Sequence, residues 1–224
     1  MANNKKMERT GMEIIDKLKQ YVEQQLDDDT TGHDYSHIQR VVALAKTISE
    51  KIENSDLLIV LTAAYLHDVI DEKLVDDTYD KQKEVQSKLE ELDYTLAQID
   101  EVMDIITHMS YSANLKHHYE LSINGQIVQD ADRLDAIGAI GIARAMYFGG
   151  HFGDTIYDPE QMPRNDMDKS QYREHTTVIN HFYEKLFKLP DLMNTPAAKE
   201  MSERRNQYMH DFVREFKDEW QGIH

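Results

Sequence analysis

Two histidines and an aspartate stand at the expected ends of two neighbouring helices. His37 lies near the start of the second predicted helix, and the pair His67-Asp68 lies near the end of the third. With a turn near Asn54, the two arms have about 17 and 12 residues, or roughly 25 and 18 Å at about 1.5 Å per residue. An antiparallel hairpin of this size returns His67 and Asp68 to the end that carries His37.

Further ionisable residues reach the same end if the helix directions continue to alternate. His108 closes the fifth predicted helix, and Asp132 lies early in the sixth. Helix bundles commonly build metal sites from side chains on facing helices. Asp130 and Asp135 lie on the same helix as Asp132, so spacing alone does not choose among the three carboxylates.

This set of ligand types suits a divalent metal ion that activates a water. Two imidazoles and two carboxylates suit a divalent ion such as Mn²⁺, Fe²⁺, Ni²⁺ or Zn²⁺. Such an ion lowers the pKa of its bound water and neutralises charge on a phosphoryl group. Asp71 follows His67 by four residues, which places it on the same helix face, where it could orient or deprotonate the water. Glu72 is its neighbour, with a direction that the spacing does not fix, and is a second catalytic candidate.

Helices dominate the elements that must position these residues. Only four prolines and nine glycines interrupt the chain, and the apolar residues recur with helical periodicity. The pattern predicts an all-α, single-domain bundle over residues 1–224 with about eight helices. The sixth is a long helix from about residue 126 to 148 that ends at the Gly149-Gly150 pair. Expected helix starts are Ser55, the capping box of Thr95 and Gln98, and Thr195-Pro196. The longest expected loops are 109–125 and 149–169.

Composition excludes several classes of function. The formal net charge is −17, which argues against nucleic acid and against an anionic membrane surface, because both require a basic face. The chain has no cysteine, so any metal site must use His, Asp and Glu. The segment MANNKKMERTGMEII lacks the apolar core of a signal peptide, and we expect a cytoplasmic protein.

Three segments resemble the HD phosphohydrolase superfamily: GHDYSHIQRVVALA, AAYLHDVID and DADRLDAIGAIGIARA. Their order reproduces the H…HD…D metal signature of that superfamily. The third segment resembles the run around the last metal aspartate of (p)ppGpp hydrolases, which selects Asp132 over Asp130 or Asp135. The resemblance therefore implies an HD-type bundle that holds its metal with His37, His67, Asp68 and Asp132.

Two later segments, YFGGHFGDTIYDP and HFYEKLFKLPDLMNT, resemble a narrower bacterial group of small single-domain HD hydrolases. Members of that group are assigned as Mn²⁺-dependent nucleotide pyrophosphohydrolases. The resemblance implies one divalent ion, with Mn²⁺ favoured and Fe²⁺, Ni²⁺, Zn²⁺ or Mg²⁺ as the other candidates. It also implies that a (deoxy)nucleoside triphosphate is hydrolysed with release of pyrophosphate.

A phosphorylated substrate needs cationic partners. Arg144 and Lys185 interrupt otherwise apolar helical segments, and we predict that both contact phosphate. His33 is predicted as a further phosphate contact, with a plain loop position as its alternative. His108 is predicted to contact substrate; the alternatives are a cation at a helix carboxyl end or a ligand of a second metal.

Two other functions fit the same residues. One is an HD-type oxygenase with two irons, although the chain has no histidine between residues 69 and 107 to serve a second metal. The other is a non-catalytic protein that binds metal and nucleotide. The sequence also leaves open whether the protein forms a homodimer.

Overall fold

The computed structural model describes residues 2–26, 35–70 and 77–223, with backbone alone for residues 2–10 and 26. Over these residues it shows ten α-helices, two short 3₁₀ turns and no strand, which confirms the all-α prediction with more helices than the eight expected. The helices are α1 (Ala2–Leu26), α2 (Tyr35–Ser49), α3 (Leu57–Leu66), α4 (Thr78–Glu91), α5 (Leu96–His108), α6 (Ile123–Asp135), α7 (Gly138–Phe152), α8 (Lys169–Arg173), α9 (Val178–Glu184) and α10 (Pro196–Trp220).

The chain divides into two compact units, Met1–Gln129 and Asp130–His224, with the division falling inside α6. A single domain over the whole chain stays a prediction. Among the described residues no helix is both long and apolar enough to cross a membrane.

The first unit is organised around α3, which contacts α1, α2 and α5. Seven of its ten residues are buried, on all sides of the helix, as expected of a helix that is apolar all round. The facing stripe of α2, which includes Ile38, Val41, Ala45 and Ile48, is fully buried. Packing on several sides fixes α3, and with it the residues that follow its last turn.

The start of α3 corrects one prediction. Asp56, not Ser55, is the N-cap, and its carboxylate accepts hydrogen bonds from the backbone N–H groups of Leu58 and Ile59 at 2.9 and 3.3 Å. The hydroxyl of Ser55 instead turns back to the carbonyl of Ile52 at 3.2 Å. Both residue types can cap a helix. The backbone N–H of Asp56 donates to the side chain of Asn124 at 2.8 Å, a partner that is distant in the sequence.

The long sixth helix was also predicted wrongly, because it is broken into α6 and α7. Ile137 has an extended backbone with φ −123° and ψ 166°, and Gly138 has φ +77°, a region that favours glycine. The Gly149-Gly150 pair lies within α7, which ends instead at Gly153 with φ +72°. The apolar periodicity runs through the break, so it gave no sign of it.

In the second unit, α10 contacts α7, and α9 supplies the fully buried ring of Phe182. The ring of Phe182 lies 5.9 Å from the rings of Phe187 and Phe212. Thr195 caps α10 through its hydroxyl, which accepts from the N–H of Ala198 at 3.2 Å, as predicted. The polar segment between α7 and α9 contains α8, a short helix that the sequence analysis did not predict.

Candidate metal centre

The first three candidate ligands lie on, or directly after, neighbouring helices of the first unit. His37 is in the first turn of α2 and is 1% exposed. His67 is the C-cap of α3, and Asp68 follows it; each is 7% exposed. Burial of two imidazoles and a carboxylate at one point requires polar partners.

These three side chains face each other. The Nε2 atoms of His37 and His67 are 3.2 Å apart. The two carboxylate oxygens of Asp68 each lie 3.4 Å from one of these nitrogens, Oδ2 from His37 and Oδ1 from His67. The ring of His67 is fixed from behind, because its Nδ1 lies 2.9 Å from the carbonyl oxygen of Ala64. If Nδ1–H donates to this carbonyl, the lone pair of Nε2 is directed towards His37 and Asp68.

Asp132 completes the group of candidate ligands. It is carried by α6, whose earlier turns are fixed in the first unit by hydrogen bonds from Asn124 to Glu101 and from Gln129 to Met109 at 2.9 and 2.8 Å. His37, His67 and Asp132 each offer one donor atom, and these atoms all lie within 4.8 Å of one another. Together with Asp68, they form what we call the donor cluster.

The donor cluster fits a divalent ion by its chemistry. Two imidazole nitrogens about 2.1 Å from one ion lie roughly 3.0–3.4 Å apart at octahedral or tetrahedral angles. The observed 3.2 Å between the Nε2 atoms of His37 and His67 is within that range. Nitrogen and carboxylate ligands without sulfur suit Mn²⁺, Fe²⁺, Ni²⁺ and Zn²⁺ alike, so the donor set does not choose the ion.

The three aspartates of α6 have different partners. Asp130 is fully buried and accepts four hydrogen bonds, from the backbone and side chain of Asn194 and of Thr195, at 2.8–2.9 Å. Burial raises the pKa of Asp130, and these hydrogen bonds limit the rise. Asp135 is buried and accepts a hydrogen bond from Arg144 at 2.7 Å. Asp130 and Asp135 thus have structural partners, whereas the carboxylate of Asp132 lies among the candidate ligands.

Two predicted phosphate contacts, Arg144 on α7 and Lys185 after α9, lie in the second unit. Lys185 follows α9, and its ammonium donates to the hydroxyl of Tyr172 at 3.0 Å. Burial by itself lowers the pKa of Lys185, but Tyr172 and then Asp132 raise it, and the result is a pKa above the usual value despite the charge of Arg144. Lys185 is therefore a charged group within electrostatic range of Asp132 and Arg144.

The remaining predicted site residues divide into two sets. His108 is the last residue of α5; its Nδ1 lies 2.9 Å from a carboxylate oxygen of Asp104, and its ring stacks on Tyr119. Within the described residues, His108 is not part of the group of possible metal ligands formed by His37, His67 and Asp132. His33, Asp71 and Glu72 lie outside the described residues, so their roles stay predictions.

Neither Tyr172 nor the ion pair between Arg164 and Glu184 was predicted from the sequence. Glu184 is 1% exposed, and its carboxylate accepts hydrogen bonds from the backbone N–H, Nε and Nη2 of Arg164 at 2.9, 3.1 and 2.7 Å. Hydrogen bonds and charge from Arg164 outweigh burial and hold the pKa of Glu184 below its usual value. These residues stand in a polar segment with no periodicity, where the sequence carried no signal for a pair 20 residues apart.

Comparison with known proteins decides the family. The HD domain family matches residues 34–137, which contain the whole donor cluster. The Bacillus subtilis protein YpgQ is 43% identical over 209 residues, covering 93% of this chain and 94% of that protein. The chain belongs to the HD superfamily. This result confirms the resemblance noted in the sequence.

Solved structures agree with this membership. A Lactobacillus plantarum protein superposes with a TM-score of 0.85 at 44% identity, covering 93% of this chain and 97% of that one. An HD-superfamily hydrolase from Bacillus thuringiensis superposes with a TM-score of 0.74 at 42% identity, covering 94% and 98%. The structure of YpgQ in complex with ADP gives a TM-score of 0.76 at 40% identity, covering 94% and 96%. This HD protein thus has the fold of HD-superfamily hydrolases, a fold that implies a divalent metal, and His37, His67 and Asp132 are placed to hold one.

Proposed function

We propose that this HD protein is a metal-dependent phosphohydrolase that acts on nucleotides and releases pyrophosphate from (deoxy)nucleoside triphosphates. The observation that carries the proposal is the donor cluster, in which two imidazole Nε2 atoms lie 3.2 Å apart and each lies 3.4 Å from an oxygen of Asp68. Such a group of lone-pair donors in a buried site is suited to a cation and to the chemistry that a cation supplies.

In this proposal His37, His67, Asp68 and Asp132 hold one ion, with Mn²⁺ favoured. The bound ion would supply an acidified water and neutralise charge on the phosphoryl group. His67 keeps its Nε2 directed at the site because its Nδ1 is held by the carbonyl of Ala64. Asp71 is assigned as the general base that takes a proton from the attacking water, with Glu72 as the second candidate.

The reaction balances without a further reactant. The water oxygen forms a bond to the α-phosphorus, and the bond from that phosphorus to the bridging oxygen breaks. The products are a nucleoside monophosphate and pyrophosphate, and the proton of the water passes to the carboxylate assigned as base. Arg144 and Lys185, with His33 and His108, are proposed to bind the phosphates and to spread the charge of the transition state.

A nucleotide is favoured as substrate because a relative of 40% identity over almost its whole length, YpgQ, has been crystallised with ADP. A polyphosphate also suits the cationic groups near Asp132, since Lys185 interacts electrostatically with Asp132 and Arg144. The high negative net charge of the chain does not oppose this, because a metal and a few local cations dominate the field at short range.

The proposal is tested by incubating the protein and Mn²⁺ with a panel of nucleoside mono-, di- and triphosphates, each in its ribose and deoxyribose form. Release of phosphate and release of pyrophosphate are measured separately. We expect pyrophosphate from triphosphates and one metal ion per chain by elemental analysis. The variant Asp71→Ala should keep the ion and lose about 10²–10⁴-fold in rate, whereas the exposed Asp100→Ala should change neither. Two irons per chain without hydrolysis would contradict the proposal and indicate an oxygenase. One metal ion without hydrolysis of any nucleotide would contradict it and indicate a non-catalytic binding protein.

A further inference from the structure

Lys185 is held in place from two sides by the segment that carries α8. Its ammonium donates to the hydroxyl of Tyr172 at 3.0 Å and lies 5.5 Å from the centre of that ring. The preceding residue, Glu184, is bound by Arg164. Arg164 therefore restrains the backbone next to Lys185, and Tyr172 restrains its ammonium.

Arg164 also fixes the helix that presents Tyr172. Its Nη1 donates to the carbonyl of Gln171 at 2.7 Å, and its Nη2 donates to the carbonyl of Glu174 at 3.2 Å. These two carbonyls flank Tyr172 in the chain. One guanidinium thus binds the carboxylate next to Lys185 and the backbone on both sides of Tyr172, which sets the distance between the lysine and the tyrosine.

We propose that Tyr172 is a positioning residue, which holds the ammonium of Lys185 in the orientation that binds a phosphate group of the substrate. This inference rests on the proposed function for the chemical class of the ligand, a polyphosphate. The position is suitable because Lys185 interacts electrostatically with Asp132 and Arg144. A lysine has four rotatable side-chain bonds, so fixing its end before substrate arrives avoids an entropic cost of binding.

The chain contains a matched control for this contact. Lys217 donates to the hydroxyl of Tyr183 at 2.9 Å and lies 4.6 Å from the centre of its ring. The residue types and the hydrogen-bond length match those of Lys185 and Tyr172. Tyr183→Phe therefore removes the same kind of hydrogen bond at a place that the proposal does not involve.

The test measures binding of inorganic pyrophosphate by calorimetry in the presence of Mn²⁺, on the full chain, with melting temperature measured in parallel. Tyr172→Phe should weaken pyrophosphate binding by about three- to tenfold, the loss expected for one hydrogen bond that orients a charged group. Tyr183→Phe should leave this affinity unchanged. In a Lys185→Gln background, Tyr172→Phe should have no further effect, because its action passes through the lysine.

Several outcomes would overturn the inference: wild-type protein that binds no pyrophosphate, equal effects of the two tyrosine variants, or a loss from Tyr172→Phe that persists without Lys185. If Tyr172→Phe melts well below the wild type, Lys185→Gln carries the test alone. It removes the ammonium that Tyr172 is proposed to position and must weaken pyrophosphate binding at least threefold; unchanged affinity contradicts the proposal. Because binding is measured without turnover, a failed inference is distinct from a failed search for hydrolysis.

Discussion

Two buried clusters of ionisable residues in this HD protein are built in opposite ways. Around Glu184, every named contact joins a donor to an acceptor, since Arg164 and Thr176 supply N–H and O–H groups to the carboxylate. In the donor cluster, the atoms that face each other are imidazole nitrogens and carboxylate oxygens. These atoms share the ability to give a lone pair to a cation.

This difference separates a contact that holds the chain from a site that can act on a ligand. Glu184 and Arg164 satisfy each other's charge and hydrogen bonds within the protein. Several lone-pair donors brought together gain most when a divalent ion binds among them. The same distinction holds along α6, where Asp130 accepts four hydrogen bonds while Asp132, two residues later, belongs to the donor cluster.

The sharpest test of this comparison removes a carboxylate from the donor cluster. For Asp68→Ala we expect metal affinity and hydrolysis to fall together by more than about a hundredfold, because loss of a direct ligand exceeds the roughly 10–100-fold cost of losing an outer partner. Helical content should be retained, since the residue follows the end of α3. Elemental analysis, nucleotide hydrolysis and circular dichroism measure the three quantities.

A variant that keeps its metal and its full rate would remove Asp68 from the site. Loss of helical signal would show instead that the donor cluster is needed to fold the first unit. Asp100→Ala, an exposed carboxylate on α5, serves as the control for removal of one negative charge.

For the cluster around Glu184 we expect the opposite result, a loss of stability without a loss of metal. Glu184→Gln leaves Arg164 near a neutral amide, and breaking a buried ion pair typically costs about 3–5 kcal/mol. Because the side chain of Arg164 is 27% exposed, water compensates in part, and we expect a loss of about 2–3 kcal/mol in the free energy of unfolding. Denaturation by urea measures this loss, and the metal content should not change.

A result in which Glu184→Gln lowers metal content without lowering stability would reverse the assignment of the two clusters. The matched variant is Asp211→Asn, which breaks the exposed pair between Arg214 and Asp211. Exposed pairs contribute little, so its free energy of unfolding should stay close to that of the wild type.

The sequence predicted one of these clusters and missed the other for a physical reason. His37 lies near the start of a periodic helix and His67-Asp68 at the end of a continuously apolar one, and helix geometry alone brings such ends together. Arg164 lies in a polar segment without periodicity, where nothing local restricts which partner a charged side chain finds. Ion pairs of that kind depend on the tertiary path of the chain, which a single sequence does not reveal.

The fold shows the same limit. The helical class follows from periodicity, and the capping box of Thr95 and Gln98 was predicted correctly because both partners are close in sequence. The break at Ile137 was missed, since the apolar pattern continues through it; Gly138, with φ +77°, was its only local sign. The choice of Asp56 over Ser55 as the N-cap of α3 coincides with a contact to Asn124, which is distant in sequence.

Acid should weaken the ion-pair cluster by a smaller amount, with a sign that follows from the pKa of Glu184. Burial alone would raise this pKa, but Arg164 and Thr176 lower it below its usual 4.5. Below about pH 4.5 the unfolded chain takes up a proton that the folded chain does not, so the contribution of Glu184 is complete above that pH and is lost as the pH falls. The difference in unfolding free energy between wild type and Glu184→Gln should therefore narrow between pH 5 and more acidic values, as measured by urea denaturation at each pH. All other ionisable groups are common to both proteins. A difference that stayed constant or widened in acid would therefore show that Arg164 does not stabilise the charged form of Glu184.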